Sequence, residues 1–233
     1  PFPPIRLALQ DGSEALVGGV IDRVDRTVAG ERELFRIVDY KTGGRDCDFA
    51  GVLQGLTLQL PLYLLAAAER AEQRAGMYYM PISQPVVSDA EEDIEAAVAD
   101  AFRLKGLTLS DAAVVRASDN LLGGGRSTVL HQVEQLGEGE YGGSVCSQAQ
   151  MEALLALAKK RSERTLARML EGDMAASPAA RKKRREACVY CDYRSVCRFD
   201  LKKPGCRVRL LKTIGQDEFF ELIGGETDAL DEE

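Results

Sequence analysis

Two aspartates and a lysine carry the first chemical signal in this 233-residue chain. Asp22 closes the run Gly19-Val20-Ile21-Asp22, and Asp39 and Lys41 flank Tyr40 in Ile37-Val38-Asp39-Tyr40-Lys41-Thr42-Gly43. Side chains alternate along a strand, so Asp39 and Lys41 share a face with their Cα atoms about 7 Å apart. A hairpin joining the two segments can turn Asp22 toward the same ion as Asp39. Hard carboxylate oxygens suit Mg²⁺ or Mn²⁺. Such an ion polarises a phosphate oxygen and acidifies a bound water, while a lysine in the same pocket orients that water or steadies transition-state charge. An isolated Asp-x-Lys is more often a surface ion pair; the Gly-x-x-Asp segment before it makes this one a catalytic candidate. Gln59 and Tyr63 are i and i+4 neighbours in a helical pattern and can both face the hairpin. Tyr63 also reads as a core aromatic among Leu60, Leu62 and Leu64. Gln59 is harder to explain that way, because a buried amide without partners is costly.

Cysteine spacing is the second signal. Six cysteines in a chain that reads as cytoplasmic argue against disulfides. Cys188, Cys191 and Cys197 crowd together as Cys-x2-Cys-x5-Cys, which points to metal. Thiolate sites want four ligands, as zinc or as an iron–sulfur cubane. Cys206 extends the pattern to Cys-x2-Cys-x5-Cys-x8-Cys, which also suits zinc. Cys47 and Cys146 stand alone and read as ordinary thiols.

These residues need positioning elements. Ala15 to Thr27 reads as a strand, Ala29-Gly30-Glu31-Arg32 as a turn and Leu34 to Lys41 as the partner strand. Gly51 to Ala71 has helical apolar spacing, with Pro61 either kinking it or marking a first turn. Gly76 to Ile82 reads as a third strand. Ser88-x-x-Glu91 has the form of a capping box for a helix ending near Lys105-Gly106. Residues 107–145, with Gly123-Gly124-Gly125, read as irregular. Ser147-x-x-Gln150 opens a helix running to about Glu171. Strand-strand-helix-strand with further helices is an α/β pattern with a mixed sheet.

Composition bounds the rest. A hydrophobic content of 45% supports one medium domain, with the core built from Leu, Val, Ile and Ala because Trp is absent. No apolar run approaches the roughly 18 residues of a membrane span, so the expectation is a soluble, cytoplasmic protein. The start Pro1-Phe2-Pro3-Pro4 reads as part of something longer. The net charge of −7 hides a basic block: Lys159 to Lys212 holds 17 Lys and Arg against 6 Asp and Glu. Its densest run, Arg181-Lys182-Lys183-Arg184-Arg185, is a candidate DNA-binding surface, although a charge run is commonly just a solvated segment. No P-loop of Gly-x4-Gly-Lys-Ser/Thr type occurs in the chain.

Taken together, Gly-x-x-Asp, Asp-Tyr-Lys-Thr-Gly and Gln-x-x-x-Tyr resemble the RecB-type branch of the PD-(D/E)XK nuclease superfamily. Gly55-Leu-Thr-Leu-Gln-Leu-Pro-Leu-Tyr63 and Cys188-x-x-Cys-Asp-Tyr-Arg-Ser-Val-Cys-Arg-Phe-Asp200 are similar to the C-terminal nuclease domains of the AddB family. These are the B subunits of bacterial helicase–nucleases that resect double-strand breaks. The resemblance runs from about Leu16 to Asp200 and is weakest over residues 107–145. It implies a restriction-endonuclease-like mixed sheet flanked by helices, with a cysteine-rich metal-cluster appendage. It implies a Mg²⁺-dependent deoxyribonuclease of exonuclease type, with Asp22 and Asp39 as metal ligands. In that reading Lys41 is catalytic, and Gln59 and Tyr63 support it. Cys188, Cys191 and Cys197 would hold a structural 4Fe–4S cluster with a fourth cysteine further upstream. The implied partners are single-stranded DNA and the AddA-like motor of the same helicase–nuclease. Departures are the family's upstream acidic or histidine motif and upstream cysteine, since Cys47 is the first cysteine here. Asp25 and His131 carry no family role. The expected organisation is a nuclease core over 1–173, a basic linker and knuckle over 174–212, and a short helix with an acidic, disordered tail over 213–233. Other readings are a stand-alone RecB-like nuclease of the CRISPR-adaptation kind, a DNA-binding module with an idle nuclease fold, and a zinc-stapled interaction domain.

Overall fold

Asp39 and Lys41 lie on the strand that is buried on both faces. In the segment Arg32–Lys41, Leu34, Phe35, Ile37 and Val38 are all at most 1% exposed. Strict alternation is lost there because neighbours cover both sides. The computed structural model describes residues 2–9, 11–43, 45–67, 73–83, 85, 93–181 and 186–224.

In chain order the first elements are β1 (Ile5–Ala8), β2 (Glu14–Val17), β3 (Arg23–Ala29), β4 (Arg32–Lys41), α1 (Phe49–Leu53), α2 (Gln59–Ala67), β5 (Gln73–Pro81), α3 (Ile94–Ala101) and β6 (Lys105–Leu109). There follow α4 (Ala112–Ser118), β7 (Gly125–Arg126), β8 (Val133–Gly137), β9 (Glu140–Gly143), β10 (Val145–Cys146) and α5 (Gln148–Leu170). The last are β11 (Ala179–Arg181), α6 (Glu186–Val189), α7 (Arg194–Cys197), β12 (Arg209–Leu211) and α8 (Gln216–Gly224). The main sheet has the order β10-β6-β5-β4-β3. It is mixed: β3 and β6 run antiparallel to their neighbours β4 and β5, whereas β4 and β5 run parallel to each other.

One face of the sheet carries Phe35, Ile37, Met77, Tyr79 and Leu107, packed under Phe49, Leu60, Leu64, Met151, Leu154 and Phe219 from the helices. Each such side chain contributes about 1.5–3 kcal/mol on burial, and this stripe presses α2 onto β4. The other face holds Val38 and Tyr78 against Leu104, Leu130 and Val133. Tyr78 pairs with Gly106 across β5 and β6, and a Cβ at Gly106 would collide with the Met77 carbonyl. The expected α/β mixed sheet flanked by helices is therefore what the chain forms.

The expected hairpin is present, with Gly30 at φ 66° opening its two-residue turn. Its first strand is shorter than expected. Glu14–Val17 pairs instead with β1, and residues 18–22 leave the ladder at Gly18-Gly19. The helix expected over 51–71 is two helices. Gln54–Leu58 breaks it, with Gly55 at φ 73°, and Pro61 falls in the first turn of α2, where its missing N–H costs nothing. The strand expected at Gly76 begins at Gln73 and ends at Pro81.

The capping box at Ser88 and Glu91 lies outside the described residues. The helix beyond it is capped by Asp93, whose side chain accepts from Ala96, and ends at Ala101; Lys105-Gly106 opens a strand rather than closing a helix. Residues 107–145 are not irregular. They supply strands and α4, tied together by Asp119, which is 3% exposed and accepts four hydrogen bonds from Leu121, Ser127 and Thr128. Local polar spacing concealed these short strands because their ordering is tertiary. The helix at Ser147 forms with its reciprocal capping box intact and runs over Gln148–Leu170. Within the expected basic linker, β11 pairs in parallel with β12. The acidic tail from residue 225 lies outside the described residues.

Candidate active site

Continuing the β3–β4 register one step beyond Arg23 and Val38 sets Asp22 opposite Asp39. Residues opposite one another in an antiparallel pair present side chains to the same face. Asp22 is exposed and no longer in the ladder; its Oδ2 accepts from the Tyr40 N–H at 3.0 Å. The carboxylate thus replaces a ladder carbonyl as acceptor and holds itself beside the peptide that follows Asp39.

Asp39 is 2% exposed, so its charge must be met inside the protein. Its Oδ1 accepts from Gln59 Nε2 at 3.0 Å, and its Oδ2 forms an ion pair with the Lys41 ammonium. Lys41 Nζ also donates to Gln59 Oε1 at 3.1 Å, and Gln59 Nε2 reaches the Tyr63 hydroxyl at 3.0 Å. Lysine can only donate, so Oε1 of Gln59 must face Lys41 and the NH₂ must face Asp39 and Tyr63. One amide at the first position of α2 therefore reads both charges of β4. The ammonium also lies 5.6 Å from the Tyr79 ring centroid. Burial pushes the Tyr79 hydroxyl up to about 12, with Cys47 and Asp39 adding to the shift. Tyr79, on the neighbouring strand, was not legible as a site residue; its alternation with Met77 was the available signal.

Five predicted residues, Asp22, Asp39, Lys41, Gln59 and Tyr63, are thus brought to one corner of the sheet. The donor set fits Mg²⁺. The Asp39 Oδ2 atom is buried and, beyond its charge contact with Lys41, has no aligned hydrogen-bond donor. Mg²⁺ is commonly held by one or two carboxylates, with substrate phosphate and water filling the remaining positions. The neighbouring Cys47 is only partly exposed, and desolvation pushes its thiol up to about 12, which suits an inert core thiol.

The cysteine segment is different. Cys188 lies near the close of α6, Cys197 closes α7, and Cys191 and Cys197 are exposed. Among the described residues no group of three or more His, Cys, Asp and Glu side chains is gathered to hold a metal ion. Cys188, Cys191, Cys197 and Cys206 are all described, and no three of them are gathered in that way. Of the basic run, Arg181 is engaged in an ion pair with Asp48, and residues 182–185 lie outside the described residues. His131 sits apart from the site, beside the Leu104 strand entry.

Asp25 occupies the opposite face, between Arg23 at 2.6 Å and Arg36 at 2.9 Å. Burial raises its carboxyl, but the two guanidinium groups outweigh that and hold it below the usual carboxylate value. The carboxylates at 22 and 25, close neighbours along the chain, are thereby split between the two faces.

A buried carboxylate, a lysine two residues on and a helix-borne glutamine meet on a mixed sheet flanked by helices, the arrangement of a nuclease fold. Residues 3–198 match the family model of the PD-(D/E)XK nuclease superfamily, and the chain belongs to that superfamily. Over 97% of its length it is 31% identical to the B subunit of an ATP-dependent helicase/deoxyribonuclease from Clostridium novyi (strain NT), of which it covers 21%. It is 33% identical to the B subunit of the same name from Bacillus mycoides (strain KBAB4), again over 97% of this chain and 21% of that protein. The corresponding protein of Thermoanaerobacter sp. (strain X514) is 30% identical, with 97% and 20% covered. The chain spans about a fifth of the length of these relatives. No helix among the described residues is long and apolar enough to cross a membrane.

Proposed function

We propose that this chain is the Mg²⁺-dependent nuclease domain of an AddB-like protein, which digests single strands delivered by a helicase motor during resection of double-strand breaks for recombinational repair. The observation that carries this reading is Gln59 bridging the buried Asp39 and Lys41. An AddA-like protein is the partner, and the cytoplasm is the compartment. Exonucleolytic hydrolysis is the reaction.

Asp22 and Asp39 would hold the ion, which when bound polarises a phosphate oxygen and acidifies a water. Lys41, pulled toward Asp39 and Gln59, presents its ammonium at the same corner, where it orients the water and balances charge on the phosphate. Gln59 gives the Lys41–Asp39 ion pair a third partner that fixes where both groups sit. Tyr63 fixes the amide that does so.

The basic residues 182–185, as a DNA contact, and the 4Fe–4S cluster on Cys188, Cys191 and Cys197 belong to this proposal on grounds of the sequence alone. The cluster requires the knuckle to close beyond the arrangement seen, and no chemical step depends on it.

The test is digestion of single-stranded DNA in Mg²⁺ by the full-length protein beside Asp39→Ala. Cleavage by the parent that falls by about 10³-fold or more in the variant is expected, in line with the loss of a catalytic electrostatic group. Equal products from both, or none from either, would leave only a DNA-binding module.

A further inference from the structure

We infer that Asp48 and Arg181 form a clamp that positions Gln59, making Arg181 a positioning residue of the nuclease site and not a phosphate contact. The inference rests on the nuclease reading above.

The segment between β4 and the helix that carries Gln59 includes α1, and its final turn depends on Asp48. The Asp48 side chain caps α1 by accepting from the Gly51 N–H at 3.0 Å. Its backbone carbonyl accepts from Val52 N–H at 2.9 Å and from Thr57 Oγ1 at 3.1 Å. Leu56 N–H closes the turn onto the Gly51 carbonyl at 2.8 Å. Thr57 is two residues before Gln59, so the position of Asp48 sets where α2 begins. Gly51 is needed for this closure: a Cβ there would collide with both the Asp48 carboxylate and the Thr57 hydroxyl.

Asp48 is itself held from 133 residues further along the chain. Its Oδ2 pairs with Arg181 Nη2, and both side chains are only about 30% exposed. Arg181 ends β11, which is paired with β12. Beyond β12, α8 presses Phe219 and Phe220 onto Phe49, at ring-centroid distances of 5.0 and 6.1 Å. Asp48 and Phe49 are adjacent, so segments on either side of the cysteine knuckle grip the same turn, one by charge and one by packing. Two independent contacts on neighbouring residues hold the connection that delivers Gln59 to Asp39 and Lys41. Lengthening that connection by a fraction of an ångström loosens the amide bridge without removing any group from the site.

The rival assignment for Arg181 is a DNA contact, and the two differ in what they change. Loss of a phosphate contact raises KM for DNA and lowers the salt slope by about one. Loss of a positioning contact lowers kcat and leaves KM and the salt slope in place. The experiment uses the full-length protein with Arg181→Ala, Arg181→Lys, Asp48→Asn and the Asp48→Asn/Arg181→Ala double variant. Asp48→Asn keeps an acceptor for Gly51 and loses only the charge. Expected are a kcat on single-stranded DNA lower by roughly ten- to a hundredfold in Arg181→Ala, a similar fall in Asp48→Asn, no further fall in the double variant, and partial recovery in Arg181→Lys. Amide exchange of the peptide covering 49–58 is measured in parallel and is expected to quicken in Arg181→Ala. A raised KM with a shallower salt slope, additive losses, or unchanged exchange would overturn the clamp. A parent protein inert in Mg²⁺ would sink the nuclease reading instead, and the exchange measurement would still decide the clamp.

Discussion

Gln59 has more at stake than any other uncharged residue of the site. It donates to Asp39 and Tyr63 and accepts from Lys41 with a single planar group. Truncation leaves a buried carboxylate oxygen without its donor, and an unmet buried polar group costs about 1–3 kcal/mol. The larger effect is on geometry, because Lys41 then keeps Asp39 as its ion-pair partner but loses the amide oxygen that orients it. Gln59→Ala is expected to cut the initial rate on single-stranded DNA by roughly ten- to a hundredfold while lowering the thermal midpoint only modestly. Tyr63→Phe, which removes one acceptor of the same amide, is expected to do less. Initial rates at fixed Mg²⁺ measured beside the unfolding midpoints check both, and a Gln59→Ala variant with the parent rate would refute the bridge. Tyr63 is thus both things its position allowed, a ring packed at the edge of the core and a hydroxyl in the site.

At the scale of elements, the knuckle around α6 and α7 is where spacing and structure part. Cys188-x2-Cys-x5-Cys is a strong local pattern, yet Cys191 and Cys197 are exposed to solvent while Cys146 is buried. Thiol reactivity separates the two populations. Burial pushes the Cys146 and Cys47 thiols up to about 12, so near pH 8 they are protonated and slow to alkylate. Iodoacetamide is expected to modify Cys191 and Cys197 in metal-free protein within minutes, and Cys47 and Cys146 only after unfolding, as read by peptide mass spectrometry. In anaerobically purified full-length protein carrying a cluster, Cys188, Cys191 and Cys197 should be protected together, with a broad visible absorption band that disappears as protection is lost. A colourless preparation with freely reacting thiols would remove the cluster from the proposal.

At the scale of the whole molecule, two carboxylates away from the candidate site, Asp25 and Asp119, are held as anions by their partners. Burial raises the Asp119 carboxyl, but its hydrogen bonds from Ser127, Thr128 and Leu121 outweigh this and hold it below its ordinary 3.8. The Arg23 and Arg36 contacts of Asp25 act in the same direction against its burial. A folded value below the unfolded one means that the unfolded chain binds more protons. The stabilisation is therefore complete above about pH 4 and is lost as the pH falls through the folded values. Asp119→Asn is expected to cost about 1–3 kcal/mol at pH 7, with the gap to the parent narrowing below about pH 3.8. Urea titrations at pH 7 and pH 3 measure that difference, and a gap that is unchanged at pH 3 would rule out Asp119 as the source. The loop it ties, with Gly123-Gly124-Gly125, belongs to the stretch that reads as irregular. Its order comes from one buried anion meeting donors up to nine residues away, and no local window contains that information.

The sequence by itself determined which candidate site groups lie together: Asp39 and Lys41 share a face because a strand alternates, and Gln59 and Tyr63 share one because a helix turns every 3.6 residues. It also determined the β3–β4 hairpin through Gly30 and the long helix through Ser147 and Gln150, since caps and turns are local interactions. Only the tertiary structure decided that Asp22 leaves its strand to meet Tyr40 and that Arg181 is spent on Asp48, whereas alternation along β3 already turned Asp25 to the face opposite Asp22. Those two outcomes depend on contacts between residues 18 and 133 positions apart. Burial and charge are settled there by what the rest of the chain brings alongside, and no periodicity along the chain records it.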